Sequence, residues 1–546
     1  MRTIRLLLLT VIFSASYTTS SFSQNLEKQL DELLNDQFLP DGPGATALVS
    51  IDGEIIYQKA FGMANMELSV AMQNDNVFEI GSVTKQFTAV SILMLMEQGK
   101  LKLDDEITKF IPDYPVQGNK ISVHHLLNHT SGIKSYTSLE SWTAIWRQDY
   151  TPLEMIGLFK NEVMDFTPGE AWLYNNSAYF ILGYIIEKAS GESYEAFIEK
   201  NIFKPLEMSS SYYGSMSEII PLRASGYQKS EKLVNAEYLS LTQPYAAGSI
   251  MSTVEDLYKW NEAIKANKLV KQESIDLAFR NYETTDGMKT NYGYGWALSD
   301  INGSPTLEHS GGIFGYLSNT IYLPKEHVFV VVLSNCNCND PVQVSTKMAA
   351  VTIGKPYPDV SQKISVASEE LEKWTGVYDF EDQTVRQITM EEGQLFSQRE
   401  GSTKIEIYPV GEDRFIYENS FATITFSEEP NGVYADFGNR NVQVKGVKVD
   451  RKPKVREEKM ISEEILKKYV GKYTIAPGFD IAISLNAGKL MSQVTGQGIY
   501  QVFPESETRF FFKVVDAQLE FLPNKKGDFD SFILYQGGME IRGTKN

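Results

Sequence analysis

The C-terminal third of the chain repeats itself at one fixed spacing. Gly376-Val377-Tyr378 matches Gly471-Lys472-Tyr473, an offset of 95 residues. The same offset relates Gly393-Gln394-Leu395 to Gly488-Lys489-Leu490, Tyr408-Pro409 to Phe503-Pro504, Arg414-Phe415 to Arg509-Phe510, Phe426 to Phe521 and Gly432 to Gly527. A constant offset over so long a stretch means two copies of one folding unit. From Leu371 onward the pattern is short strands broken by turns, about eight per copy, enough to close a small antiparallel barrel. The copies are expected at residues 369–450 and 461–546. A charged linker at 451–460, centred on Arg451–Glu457, separates them, and a Pro-containing linker at 356–368 precedes them.

Ahead of the repeats lies a segment long enough for a large domain of its own, residues 24–355. Residues 1–23 read as a cleavable signal peptide: Arg2 and Arg5 lead, Leu6–Phe13 form a short apolar run, and Ser21-Phe22-Ser23 offers a small-x-small cleavage site. The run is well short of the ~20 residues that span a bilayer, so no stable membrane anchor is expected. The implied location is periplasmic or secreted. The formal charge is −19, and loss of Arg2 and Arg5 takes it to −21, which argues against nucleic acid or an anionic membrane as partner. The sequence says nothing of the oligomeric state. Cys336 and Cys338 stand one residue apart, a spacing that disfavours a disulfide and makes a poor metal site.

Within 24–355 the chemistry gathers at three places. Ala45–Ile51 and Glu54–Phe61 read as a hairpin around Asp52-Gly53. Then a turn at Glu79-Ile80-Gly81 runs into a helix that is apolar on nearly every face and stops at Gly99. Ser82 and Lys85 stand at its mouth, about one turn apart, as a nucleophile and a desolvated amine would. Serine is also a common N-cap, and Ser131–Lys134 repeats the S-x-x-K spacing without such a helix. Tyr174 and Asn176 lie two apart before another apolar helix, so an extended link points them to one side. A phenol beside an ammonium loses its proton more easily and can act as a base. Tyr417–Asn419 shows that Y-x-N recurs by chance. On a late strand, His309 precedes Gly311 and Gly312, and glycines inside a strand mark close approach of a backbone or ligand. The N–H groups of Gly312 and Ser82 could cradle a substrate oxyanion. His129, in a turn, reads better as bonded to backbone than as catalytic. Ser252 and Glu255 read as a capping box for the helix from Val254.

These three motifs, in this order, resemble the serine β-lactamase and penicillin-binding-protein superfamily, in particular its class C-like branch of esterases, D-aminopeptidases and D-Ala-D-Ala carboxypeptidases. Supporting phrases are LLNHTSGI at Leu126–Ile133, TPGE at Thr167–Glu170, GSIMSTVEDLYKW at Gly248–Trp260 and YGYGW at Tyr292–Trp296. The resemblance implies an α/β catalytic domain, an antiparallel sheet flanked by helices plus an all-helical subdomain, followed by two lipocalin-like barrels. It implies Ser82 as the acylated nucleophile, Lys85 as helping to deprotonate it and holding the site's charge, Tyr174 as the base and later the proton donor to the leaving group, and Asn176 as positioner. His309, Gly311 and Gly312 would form the opposite wall, with Ser82 and Gly312 as oxyanion hole. No metal and no cofactor are implied. The substrate would be a small molecule or peptide carrying an ester or amide, D-amino-acid peptides among them. Many relatives have lysine where this chain has His309, and a histidine is mostly neutral at pH 7. That tilts the reading away from substrates needing a free carboxylate. A D-Ala-D-Ala carboxypeptidase or class C-like β-lactamase is the alternative enzyme, and a non-catalytic penicillin-binding or sensor protein with ligand-binding barrels is the alternative from another class.

Overall fold

The computed structural model of the chain describes residues 24–545 except 140, 216, 230–231, 452–457, 477–478, 487, 495–498, 514–516 and 537–538. The signal segment, and the charged linker after Arg451, lie outside the described residues. The chain divides into two compact units: Met1–Thr137 with Ile145–Tyr357, and Ser138–Ala144 with Pro358–Asn546.

The first unit is built on one antiparallel sheet. Its principal elements, in chain order, are α1 (24–35), β1 (Ala45–Ile51), β2 (Glu54–Phe61), α2 (Thr84–Glu97), α3 (Asn176–Ser190) and α4 (Val254–Lys265). They continue with β3 (Ala297–Ile301), β4 (Ser304–Ile313), β5 (Tyr316–Leu323), β6 (Val328–Ser334) and α5 (Pro341–Thr352). The strand order is β3-β4-β5-β6-β1-β2, so the first hairpin adds to the edge of the last four strands. Asp52 and Gly53 carry φ of 52° and 81°, the paired positive values that Asp-Gly supplies to a two-residue hairpin turn.

Alternation along the strands decides what each face meets. Ala45, Ala47 and Val49 of β1, with Val328, Val330 and Val332 of β6, pack in one cluster with Leu26, Leu30 and Leu34 of α1 and Val344 and Met348 of α5. Helix α4 packs on β1 and β6. Both central strands are buried along nearly their whole length, as a sheet covered on both faces requires. Helix α2 runs through the interior, with Phe87, Ala89, Val90, Ile92, Leu93 and Leu95 all fully buried. Phe87 stacks on Trp260 of α4 with ring centroids 4.1 Å apart. At its end Gly99 takes φ 71°, and Lys100 N–H returns to the Leu95 carbonyl at 3.0 Å.

Two local expectations need correction. The cap of α4 is Thr253, whose side chain accepts from Asp256 N–H, while Ser252 belongs to the preceding strand and bonds Ser211 Oγ at 2.8 Å. The capping residue thus stands one position later than the Ser252–Glu255 spacing suggests. Cys336 and Cys338 are joined as a disulfide, because the chain doubles back after β6 and brings their Cα atoms to 5.1 Å. So small a loop removes little entropy from the unfolded chain.

The second unit holds two closed eight-stranded antiparallel barrels, from Gly376–Phe380 to Val442–Val449 and from Gly471–Ala476 to Met539–Lys545. Their registers are copies: Gly376 pairs with Ile388 as Gly471 pairs with Ile483. A short helix precedes each, Ser368–Glu372 and Glu463–Leu466, and sends Leu371 or Leu466 into the barrel core. Tyr378 donates to the Trp374 carbonyl at 2.8 Å, and Tyr473 to the Tyr469 carbonyl at 2.9 Å.

Candidate active site

Ser82 sits on a 3₁₀ turn, Gly81–Val83, between the short strand Phe78–Glu79 and α2. The strand pairs with Ile250–Ser252, and Arg223 holds Glu79 in a buried ion pair at 2.5 Å, so the approach to the turn is pinned. Gly81 takes φ 51°, in the left-handed region open to glycine. The serine is half-buried.

Lys85, in the first turn of α2, is fully buried without any ion pair among the described residues. Its Nζ lies 3.1 Å from Ser82 Oγ, 2.8 Å from Asn176 Oδ1 and 2.8 Å from the Ala247 carbonyl. It also stands 4.8 Å from the Tyr174 ring centroid. Burial holds the Lys85 amine well below its ordinary value. Two of its three neighbours, the Asn176 and Ala247 oxygens, can only accept. A neutral amine gives them its two N–H bonds and turns its lone pair on Ser82 Oγ.

Asn176 is the first residue of α3 rather than a residue before it, and Asn175 is the cap, accepting from Ala178 N–H. The Asn176 amide nitrogen donates to Thr137 Oγ1 at 3.2 Å. Tyr174 Oη is buried with no hydrogen-bond partner. Burial raises the Tyr174 phenol and the nearby Ser82 hydroxyl draws it back in part. The rise is opposite to the effect expected beside an ammonium, because desolvation wins and Lys85 itself tends to neutrality.

His129 pins Tyr174 from both sides. Leu173 N–H donates to its carbonyl at 3.1 Å, Asn175 N–H donates to its Nδ1 at 3.1 Å, and its ring lies 4.5 Å from that of Tyr174. The turn histidine is therefore backbone-bonded, at φ 62°. On the facing strand β4, His309 donates from Nδ1 to the Ser310 carbonyl at 2.6 Å and accepts at Nε2 from Tyr292 Oη at 2.8 Å. Burial and the neighbouring Lys85 bring the His309 pKa down to about 3.

The glycines set how closely β4 meets the turn. A β-carbon on Gly311 would lie 2.0 Å from the Ile80 carbonyl oxygen, and one on Gly81 would lie 2.9 Å from Gly312 N. Ser318 Oγ donates to the same Ile80 oxygen at 2.8 Å. Gly295, φ 84°, brings the YGYGW loop against α2, where a β-carbon would come 2.9 Å from the Lys85 carbonyl. Gly311→Ala is accordingly expected to push β4 off the turn, costing about 2–3 kcal/mol, an overpacking effect, together with most of the activity. Chemical denaturation beside a rate assay checks both.

The fold thus brings Ser82, Lys85, Tyr174, Asn176 and His309 into one cluster, with Gly311 and Gly312 against the serine turn. The sequence did not disclose the Ala247 carbonyl, Thr137, Tyr292 or the double clamp from His129. The GSIMS and YGYGW phrases were the only signals for two of them.

Four histidines, His129 and His309 buried and His124 and His125 half-buried, give the unit an acid sensitivity. Burial lowers His124 to about 4 and His309 to about 3, and lowers His125 and His129 as well. Each holds its proton less readily in the fold than in the unfolded chain, which takes one below ~6.5. The unfolded state then binds more protons, so stability falls as pH drops from 6.5 toward these folded values. The expected slope is about 1.4 kcal/mol per pH unit for each fully neutral histidine. Melting temperatures at pH 7, 6 and 5 test it.

Against known proteins, a sequence model described as Beta-lactamase matches residues 30–352, and one of a domain of unknown function (DUF3471) matches 455–545. Penicillin-binding protein 4* of Bacillus subtilis (strain 168) is 29% identical over 432 residues, covering 74% of this chain and 94% of that protein. The octameric penicillin-binding protein homologue from Pyrococcus abyssi superposes with a TM-score of 0.55 at 27% identity, covering 77% of this chain and 99% of that one. A D-stereospecific amidohydrolase from Streptomyces sp. shares the fold at TM-score 0.52 and 24% identity, over 59% of this chain and 97% of that one. The chain belongs to the beta-lactamase family, among the penicillin-binding-protein-like serine hydrolases.

Proposed function

We propose that the protein is an exported serine hydrolase that forms an acyl-enzyme on Ser82 and cleaves an ester or amide, D-amino-acid peptides among its substrates. The observation that carries this reading is the buried Lys85 amine, held by two acceptors with its third contact on Ser82 Oγ at 3.1 Å. In the proposed reaction the Lys85 lone pair takes the hydroxyl proton as Ser82 Oγ attacks the carbonyl carbon. The N–H groups of Ser82 and Gly312 hold the oxyanion. Tyr174 Oη passes a proton to the leaving group and later takes one from the hydrolytic water, as Lys85 returns its proton to the departing Ser82 Oγ; Asn176 holds Lys85 in line. The neutral His309, with both ring nitrogens taken by the Ser310 carbonyl and Tyr292 Oη, presents no fixed cation, which favours substrates without a free carboxylate at that place.

The name of the Bacillus relative, a penicillin-binding protein, favours a second reading, acylation by β-lactams or D-Ala-D-Ala peptides. Rates on p-nitrophenyl butyrate, D-alanine p-nitroanilide and nitrocefin separate the two. Labelling by a fluorophosphonate or penicillin, mapped to Ser82 by mass spectrometry, tests the acyl-enzyme. An unlabelled wild type with no turnover on the panel would sink the proposal and leave a binding protein.

A further inference from the structure

The two barrels share a register, so each is a control for the other. Where they differ inside, the fold did not need the difference. Arg386, on the strand Val385–Glu391, points toward the interior of the first barrel, with its Cζ 4.0 Å from the Phe437 ring centroid and 5.9 Å from that of Phe380. Its Nε is buried with no hydrogen-bond partner. No carboxylate among the described residues pairs with it; the Tyr417 phenol is its polar neighbour, and Asp382 acts only through charge. Directly opposite on the next strand stands a second arginine, Arg399, which is exposed. Like charges directly opposed on one face destabilise a sheet. Tyr417 completes the wall by donating to Ser397 Oγ at 2.8 Å.

At the equivalent positions the second barrel has none of this. At the equivalent register Ile481, fully buried, replaces Arg386, and Val494 stands opposite it where the first barrel has Arg399. Phe512 takes the place of Tyr417, and the retained Ser492 Oγ is left without a partner. The apolar version closes an identical barrel. The first barrel therefore carries two opposed guanidinium groups, one half-buried between aromatic rings, with no carboxylate paired to that one among the described residues.

We propose that the first barrel holds an anion-binding site, taking a small carboxylate on an apolar or aromatic body. The carboxylate lies between Arg386 and Arg399, within reach of the Tyr417–Ser397 hydroxyl pair, and the apolar body lies against Phe437 and Phe380. Arginine suits this role because its planar fork matches a carboxylate in two parallel hydrogen bonds. The site is independent of the hydrolytic reaction.

Phenylacetate, with phenylacetamide as its neutral analogue, titrated calorimetrically into the full-length chain tests the site. Wild type is expected to bind phenylacetate saturably and phenylacetamide at least about ten-fold more weakly, the loss of a charged hydrogen-bonded pair. Arg386→Ile copies the second barrel, so it should fold, melt no lower than wild type, keep ester turnover, and lose phenylacetate affinity by about ten-fold or more. Arg399→Val, at an exposed position, should lose affinity several-fold with an unchanged melting temperature. Absence of saturable binding by wild type, or equal binding by Arg386→Ile and wild type, overturns the proposal. A clearly lower melting temperature in Arg386→Ile with Arg399→Val binding as wild type does makes Arg386 a structural residue and overturns it too.

Discussion

Ser82→Ala is expected to lower kcat on any ester or amide the wild type hydrolyses by about 10³-fold or more, and to leave the fold intact. The argument for the first half is chemical. Without Oγ the Lys85 lone pair faces a methyl group, and no other hydroxyl lies on that amine. The argument for the second half is structural. Ser82 is half-buried, its side chain caps neither the 3₁₀ turn nor α2, and Val83 and Phe87 carry the packing. The melting temperature should therefore shift by less than the equivalent of ~0.5 kcal/mol. Intact-mass spectra after incubation with penicillin or a fluorophosphonate should show no adduct on the variant. Residual turnover within ten-fold of wild type, or an adduct of equal yield, would remove Ser82 from the mechanism.

Lys85→Met is the second large effect. Methionine fills nearly the same volume and carries no donor, so the Asn176 and Ala247 oxygens lose their hydrogen bonds inside the protein. Each orphaned acceptor costs about 1–3 kcal/mol, offset in part by relief from burying an amine. Loss of the proton acceptor should slow acylation by about 10²–10⁴-fold. The pH profile gives a sharper readout. With burial holding Lys85 well below its ordinary value, the neutral amine needs no alkaline solution, and activity should fall only as pH drops through that lowered pKa. A rate that climbs steadily to about pH 10.5, the ordinary lysine value, would mean that the amine is charged in the resting enzyme.

The sequence carried the framework further than it carried the site. The 95-residue offset announced two like barrels, because a repeat needs no knowledge of contacts to be seen. The Asp52–Gly53 turn and the burial of α2 followed from local patterns, since turn chemistry and all-round apolarity each have one physical outcome. Ser82 and Lys85 were nameable for the same reason. The Ala247 carbonyl was not, because a backbone oxygen has no residue signature and only the path of the chain brings it to Lys85. The sign of the Tyr174 shift failed too. The combination of motifs suggested a phenol beside a cation, whereas burial raises the Tyr174 phenol and lowers the Lys85 amine. His129 read as a backbone-bonded turn residue, and so it is, but that it grips the residues on both sides of Tyr174 needed three-dimensional neighbours.

The shared register of the barrels has a consequence for how the chain reaches its native state. Two adjacent units of like sequence and like pairing compete for the same strands during folding, and strand exchange between neighbours is a characteristic failure of tandem domains. Ile483 pairs with Gly471 in the second barrel as Ile388 pairs with Gly376 in the first, so a borrowed strand finds a matching ladder. The interiors are what distinguish the copies. A strand bearing Arg386 inserted into the second barrel would bury its guanidinium against Phe512 instead of Tyr417. Exchange of that strand would therefore separate Arg386 from the phenol that neighbours it in its own barrel.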